Sequence, residues 1–254
     1  MKRLLLIVLT LLLGTGSALA SEQLRVLSDR DFAPYSMIQN GKPSGIDVEV
    51  FAEACKRAGV DYSLQLVEWE DLVKRLHTGQ CHAAFSLFRT PEREKDVLFV
   101  DRAVMHYSDY GLFTRVGSGL AFDSWDDLRG KRIGSIGGFA MSDGFQQAAK
   151  NGIFTSRAYV DEASCVGGLL KGEIDGFVGQ LDTTHYQLNR MGMTNTVVYL
   201  PKLVRSRRPA YIGFSRAALS ERLEGVAARL GKALQSMYRD GTYNSIARRY
   251  LFRF

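Results

Sequence analysis

The chain has 254 residues, 46% of them hydrophobic and 24% charged, with a formal charge of +6. That apolar content suffices for ordinary packed cores and excludes a disordered chain, and the length fits one large domain or two smaller lobes. The basic excess is spread out apart from Lys202, Arg205, Arg207 and Arg208, a cluster that could meet anionic headgroups or a partner and reads first as a solvated loop.

The chain opens with Lys2 and Arg3, an apolar run from Leu4 to Leu13 and the small-residue site Ala18-Leu19-Ala20. This is the pattern of a cleavable export signal, residues 1–20, with the cut expected after Ala20. The run falls short of the ~20 residues a spanning helix needs. No cysteine follows the cut, so the 234 remaining residues, now at +4, are expected to be free in the periplasm. Export argues against nucleic acid as a partner. Cys55, Cys81 and Cys165 are an odd number in an oxidising compartment. At most one bridge can form, and buried thiols are the default reading.

Short β-like runs then alternate with helical stretches, the pattern of an α/β protein. Leu24 and Val26 belong to a first strand. The turn Asn40 to Gly45 precedes a helix with Val50, Phe51, Ala54, Cys55 and Ala58 at helical spacing, stopped by Gly59. A strand from Tyr62 to Val67, a short helix with Leu72, Val73 and Leu76, and a buried strand from Ala83 to Phe88 follow. The second half predicts strands at 131–136, 157–160 and 174–179 and helices at 141–150 and 162–171. After 196–200 the chain returns through Tyr211 to Phe214 into a long helix containing Leu223, Val226, Leu230 and Leu234. Two βα-rich blocks without a flexible linker imply lobes joined by strands, with a ligand cleft between them.

Catalytic arrangements are nearly absent. There is no G-x-S-x-G elbow, H-E-x-x-H or Walker loop. His77, His82, His106 and His185 lack ligand spacing, so neither a metal nor a cofactor is expected. Gly134, Gly137 and Gly138 support only a turn that exposes helix amides to a small anion. One segment is informative: Phe85 to Glu94, where a buried strand runs into a Thr-Pro helix start. Thr90 suits the N-cap, Pro91 the first helical position, and Arg93 falls in the first turn. A cation there opposes the helix dipole, so it needs a reason. Bidentate capture of a carboxylate is one; a salt bridge to Glu92, Glu94 or Asp96 is the other.

The ordered landmarks Phe32-Ala33-Pro34-Tyr35, Gly45-Ile46-Asp47-Val48-Glu49, Trp69, Thr90-Pro91-Glu92-Arg93, Leu128-Arg129-Gly130-Lys131-Arg132-Ile133-Gly134, Gly172-Glu173-Ile174-Asp175-Gly176 and Asp240-Gly241-Thr242-Tyr243 resemble those of the bacterial extracellular solute-binding proteins of family 3. The resemblance implies an α/β, two-lobed periplasmic-binding-protein type II fold, each lobe a mixed sheet flanked by helices. Lobe 1 is expected at 21–114 plus 201–254 and lobe 2 at 115–200. It implies that Arg93 grips a ligand carboxylate with help from backbone amides near Ala140, that Phe32 and Trp69 wall the site, and that Asp29 makes a polar contact. It also implies a small carboxylate-bearing ligand, ABC-importer membrane subunits as partners and a monomeric receptor.

Two departures from the family pattern concern the ligand's ammonium. Phe88 stands where a hydroxyl is usual and Gln180 where an aspartate is usual; Phe139 also replaces a hydroxylated position. Either Asp182, two residues beyond Gln180 on an extended segment, supplies the missing charge, or the ligand is an acid without an ammonium, stacked among the rings. Relatives on this fold include cyclohexadienyl dehydratases, whose chemistry needs a general acid that Gln180 cannot supply; Glu68 reads either as a substitute or as a solvated strand-end carboxylate. Others serve as sensor modules of membrane receptors, a role this chain could fill only through a separate partner.

Overall fold

A computed structural model describes residues 23–137 and 141–251, side chains 102 and 103 excepted. The export signal lies outside these residues. In chain order the elements are β1 (Leu24–Asp29), β2 (Asp31–Phe32), β3 (Ser36–Gln39), β4 (Lys42–Ser44), α1 (Ile46–Ala58), β5 (Tyr62–Val67), α2 (Trp69–His77), β6 (Ala83–Phe88), α3 (Pro91–Glu94) and β7 (Val97–Arg115). They continue with β8 (Arg132–Ile136), α4 (Asp143–Lys150), β9 (Thr155–Tyr159), α5 (Glu162–Leu170), β10 (Gly176–Gln180), α6 (Leu181–Arg190), β11 (Val197–Ser215), α7 (Glu221–Arg239) and α8 (Thr242–Leu251).

The main sheet runs β5-β1-β6-β11-β7-β10-β8-β9. Its outer thirds are parallel: β1 pairs with β5 and β6, and β8 with β9 and β10. Between them β7 and β11 form an antiparallel ribbon that also pairs with β6 and β10. Each ribbon strand is 19 residues long, so both halves of the molecule share them. The sequence reading had broken β11 into two runs, 196–200 and 211–214, and had no strand over 97–115. The polar residues inside both strands, such as His106, Ser108 and Arg208, hide the continuity.

Apolar side chains cover both faces of each parallel third. On one side of the first third, Leu24, Phe51, Phe85, Ile212 and Leu230 pack α1 and α7 against the sheet; on the other, Leu27, Leu72, Leu76 and Leu87 pack α2. The second third repeats this with Leu112, Ile133 and Phe145 on one side and Phe113, Val166 and Phe177 on the other. Phe88, at the end of β6, packs against clusters of both thirds. The three cysteines are buried and free; burial pushes the thiols of Cys55 and Cys165 up to about 12 and that of Cys81 to about 11.

The start of α1 is tied to the turn that follows β2. The Ile46 and Asp47 amides donate to the carbonyls of Pro34 and Tyr35 at 2.9 Å each, which satisfies helix-end donors with backbone instead of a side-chain cap. Only glycine allows so close an approach: Gly45 has φ of 128°, and a Cβ there would lie 2.4 Å from the Tyr35 oxygen. Gly45→Ala is therefore expected to cost about 1–3 kcal/mol in urea unfolding, with an unchanged midpoint contradicting this account.

Candidate functional site

Strands β1 and β6 end at Asp29 and Phe88, and the space outside the carboxyl ends of such parallel strands is where α/β sheets hold ligands. A cleft lies there. Phe32, Trp69, Phe85 and Phe88 give it ring walls; Asp29, Ser86, Arg93, Tyr110 and Arg208 supply its polar groups.

Arg93 is held by local chemistry. The Thr90 hydroxyl accepts its backbone N–H at 3.3 Å, and Pro91 opens α3, as the capping pattern predicts. The half-buried side chain turns back along the strand, so that Nη1 donates to the Phe88 carbonyl at 2.8 Å and the guanidinium lies 4.7 Å from the Trp69 ring centroid. The salt-bridge alternative fails: Glu94 pairs with Arg89 and Asp96 with His77, and no ion pair to Arg93 occurs among the described residues. Burial, and then the positive charge of Arg208, lower the Arg93 pKa.

Arg208, expected in a solvated loop, is instead buried within β11. Lys202, Arg205 and Arg207 are exposed, but Arg208 is only 4% exposed and lines the cleft. The cause is a bulge in β11. Its register against β7 slips between Arg205 and Arg208, and Arg207 adopts a left-handed φ of 49° with its N–H donated to Asp109 at 2.6 Å. The extra residue sends Arg207 outward over the Tyr107 ring, at 4.6 Å, and Arg208 inward over the Phe88 ring, at 4.3 Å. Tyr110 bonds the Arg208 guanidinium, and burial raises that phenol's pKa, which keeps it neutral.

The Asp29 carboxylate lines the same cleft, accepts the Asp31 N–H at 3.0 Å, and has its pKa raised by burial.

Beneath the rings lies a buried polar cluster. Asp47 accepts from Ser86 at 2.7 Å and contacts His106 Nδ1 at 2.6 Å, with both Asp47 and His106 at most 1% exposed. Ser86 sits at a left-handed φ of 63°, where the β6–β11 register slips. The Tyr35 ring stacks on His106 with centroids 3.7 Å apart, and its hydroxyl donates to Asp182 at 2.6 Å.

Asp182 is thus placed away from the cleft lining. The expectation assumed an extended segment, but β10 ends at Gln180 and Leu181 begins α6, so the two side chains do not share a strand face. Gln180 is buried, donates to Ser108 and does not line the cleft. Glu68 is exposed and paired with Arg30 at 2.6 Å. Phe139 and Ala140 lie outside the described residues.

The family model for bacterial extracellular solute-binding proteins, family 3, matches residues 24–253. This chain belongs to that family. The family 3 protein is 25% identical over 257 residues to the lysine/arginine/ornithine-binding periplasmic protein of Escherichia coli (strain K12), covering 96% of this chain and 95% of that one. It is 24% identical to the histidine-binding periplasmic protein of the same strain, over 98% and 97% of the two chains. Among solved structures, an ancestral arginine-binding protein bound to arginine superposes with a TM-score of 0.74 at 23% identity, over 90% of this chain and 97% of that one. The architecture is the type II periplasmic-binding-protein fold. No helix among the described residues is long and apolar enough to cross a membrane.

Sequence reading gave the family 3 protein Arg93, Asp29, Phe32, Trp69 and Phe88, and the structure brings these five together. It missed Phe85, Ser86, Tyr110 and Arg208. The placements of Ser86 and Arg208 depend on bulges that local propensity does not encode.

Proposed function

We propose that this family 3 protein is an extracytoplasmic receptor that captures a small carboxylate-bearing molecule, an amino acid or a related organic acid, for an ABC importer. The observation that carries this reading is Arg93: a half-buried guanidinium in a ring-lined cleft, held by a backbone carbonyl and the Trp69 face. Ring stacking occupies the plane of a guanidinium and leaves in-plane N–H donors for a planar acid. The relatives named as amino-acid-binding proteins support the same role.

In this reading the acid group meets Arg93, the body of the ligand lies among Phe32, Trp69 and Phe88, and its far end meets Asp29. The lobes, 21–114 with 201–254 and 115–200, shut about the β7–β11 ribbon, and the closed surface is what the importer reads. A thermal-shift screen against arginine, lysine, histidine, keto acids and aromatic acids tests the reading; no response from any acid would oppose it.

The Tyr35 hydroxyl and Asp182 come from the two lobes and act as a latch. A hydrogen bond to a charged group contributes about 1.5–3 kcal/mol. Tyr35→Phe is expected to favour the open form and weaken the best ligand by roughly ten- to a hundredfold, read by calorimetry, with a larger radius of gyration in X-ray scattering. Unaltered affinity and radius would remove the latch from the account.

A further inference from the structure

Neither residue considered as the partner of a ligand amine is placed for that role: Gln180 is uncharged, and Asp182 is taken up by Tyr35 away from the cleft lining. A carboxylate from another element is. Glu162 opens α5 in the second lobe and borders a groove whose opposite side carries Arg30, Asp31 and Ala33, the chain neighbours of the cleft residues Asp29 and Phe32.

The half-buried Glu162 side chain accepts the Thr183 hydroxyl on Oε1 at 3.0 Å, while Oε2 takes no bond among the described residues. The charge of Asp29 acts on Glu162 and that of Glu162 on Tyr110, so the three groups meet around one end of the cleft. Burial first, then Asp161 and Asp29, raise the Glu162 pKa, and burial raises that of Asp29. No ion pair to either carboxylate occurs among the described residues: Arg30 pairs with Asp31 and Glu68, and Arg190 lies over the Tyr186 ring. Two carboxyls that oppose each other's ionisation are best held as anions when a cation joins them. Gln180 adds a third acceptor. It stands directly across from Tyr110 in the β10–β7 pairing, so both side chains leave the face of the sheet that floors the cleft. The residue is 1% exposed, its Nε2 donates to Ser108, and its Oε1 is without a partner among the described residues. Carboxylates and an amide oxygen only accept hydrogen bonds, and the group that satisfies all three at once is a cation rich in N–H.

We propose that Glu162 is the cation-recognising residue of the second lobe: it and Asp29, one carboxylate from each lobe, hold an amine of the ligand between them, with Gln180 Oε1 accepting a further N–H. This rests on the receptor reading and narrows it to acids that also bear an amine. Arg93 grips the acid, and the Asp29–Glu162 pair selects the amine and draws the lobes together over it.

The test uses probes built on one acid chain: hexanoate with no amine, norleucine with an α-amine, 6-aminohexanoate with a terminal amine, and lysine with both. Calorimetry on the wild-type protein is expected to give lysine and at least one single-amine probe about tenfold or more over hexanoate, and the stronger single-amine probe shows which amine the pair holds. Glu162→Gln should shrink that advantage to about threefold or less while hexanoate changes little, and Glu162→Asp should restore part of it. Hexanoate binding as well as every amine overturns the proposal, as does an advantage that Glu162→Gln leaves intact. Should Glu162→Gln not fold, a crystal structure of the wild-type protein with lysine decides: an amine nitrogen within about 3.2 Å of the Glu162 carboxylate supports the proposal, and amines bound away from Glu162 overturn it. If keto or aromatic acids bind through Arg93 while the amines fail or gain nothing, the receptor reading stands and this inference falls. If no acid binds, both fall.

Discussion

Arg93→Ala is expected to abolish the thermal shift given by the best ligand and to weaken its binding by about 2–5 kcal/mol, some thirty- to several thousandfold. The magnitude follows from the surroundings. The guanidinium is half-buried, its Nη1 is fixed by the Phe88 carbonyl and its face lies on Trp69, so no neighbour can swing in to replace it. Arg208 lines the same cleft but is stacked on Phe88 and bonded to Tyr110, so it cannot take over the Arg93 position. Arg93→Lys should recover only part of the loss, because an ammonium keeps the charge but lacks the planar fork. Calorimetry on the three proteins reads this directly, and an undiminished affinity in Arg93→Ala would mean that the acid binds elsewhere. Stability should change little, since Arg93 makes no ion pair among the described residues and its contacts lie at the cleft wall.

The second large effect concerns folding. Asp47→Ala removes the acceptor shared by Ser86 and His106 in a site that is at most 1% exposed at Asp47 and His106. A hydroxyl and an imidazole N–H are then left without their partner in a dry interior, at a cost of about 3 kcal/mol. Urea unfolding should show that loss as a lower midpoint. Asp47→Asn keeps the shape and one acceptor oxygen, so it should lose less. A change within ~0.5 kcal/mol in Asp47→Ala would show that the cluster does not hold this region together. The same variant should weaken ligand binding, because Ser86 lines the cleft and His106 supports the Tyr35 ring.

What the sequence disclosed depended on how local the physics was. Thr90, Pro91 and Arg93 could be read because a cap and a first-turn proline act within four residues, and the structure shows both. The helix α1 was legible from its apolar spacing and its stop at Gly59, which adopts φ of 61°. The ribbon was not, because β7 and β11 alternate poorly and slip register at several points. Arg208 marks the limit. In the run Arg205-Ser206-Arg207-Arg208 nothing distinguishes the last arginine until Arg207 takes a left-handed turn, and that conformation is imposed by pairing with a strand nearly a hundred residues away. Asp182 illustrates the converse: alternation does not carry past Gln180, because the segment turns helical at Leu181. Tyr35 lay within a recognised landmark, yet its bond to Asp182 joins residues 147 apart in sequence, beyond any local pattern.

The central claim is that an acid group sits against Arg93 within a cleft walled by Phe32, Trp69 and Phe88. A crystal structure of the protein with its tightest-binding acid tests it most directly. Acid oxygens are expected within hydrogen-bonding distance of the Arg93 guanidinium, about 2.7–2.9 Å, with the ligand body among those rings. Acid oxygens bound away from Arg93, or a ligand outside the cleft, would contradict it.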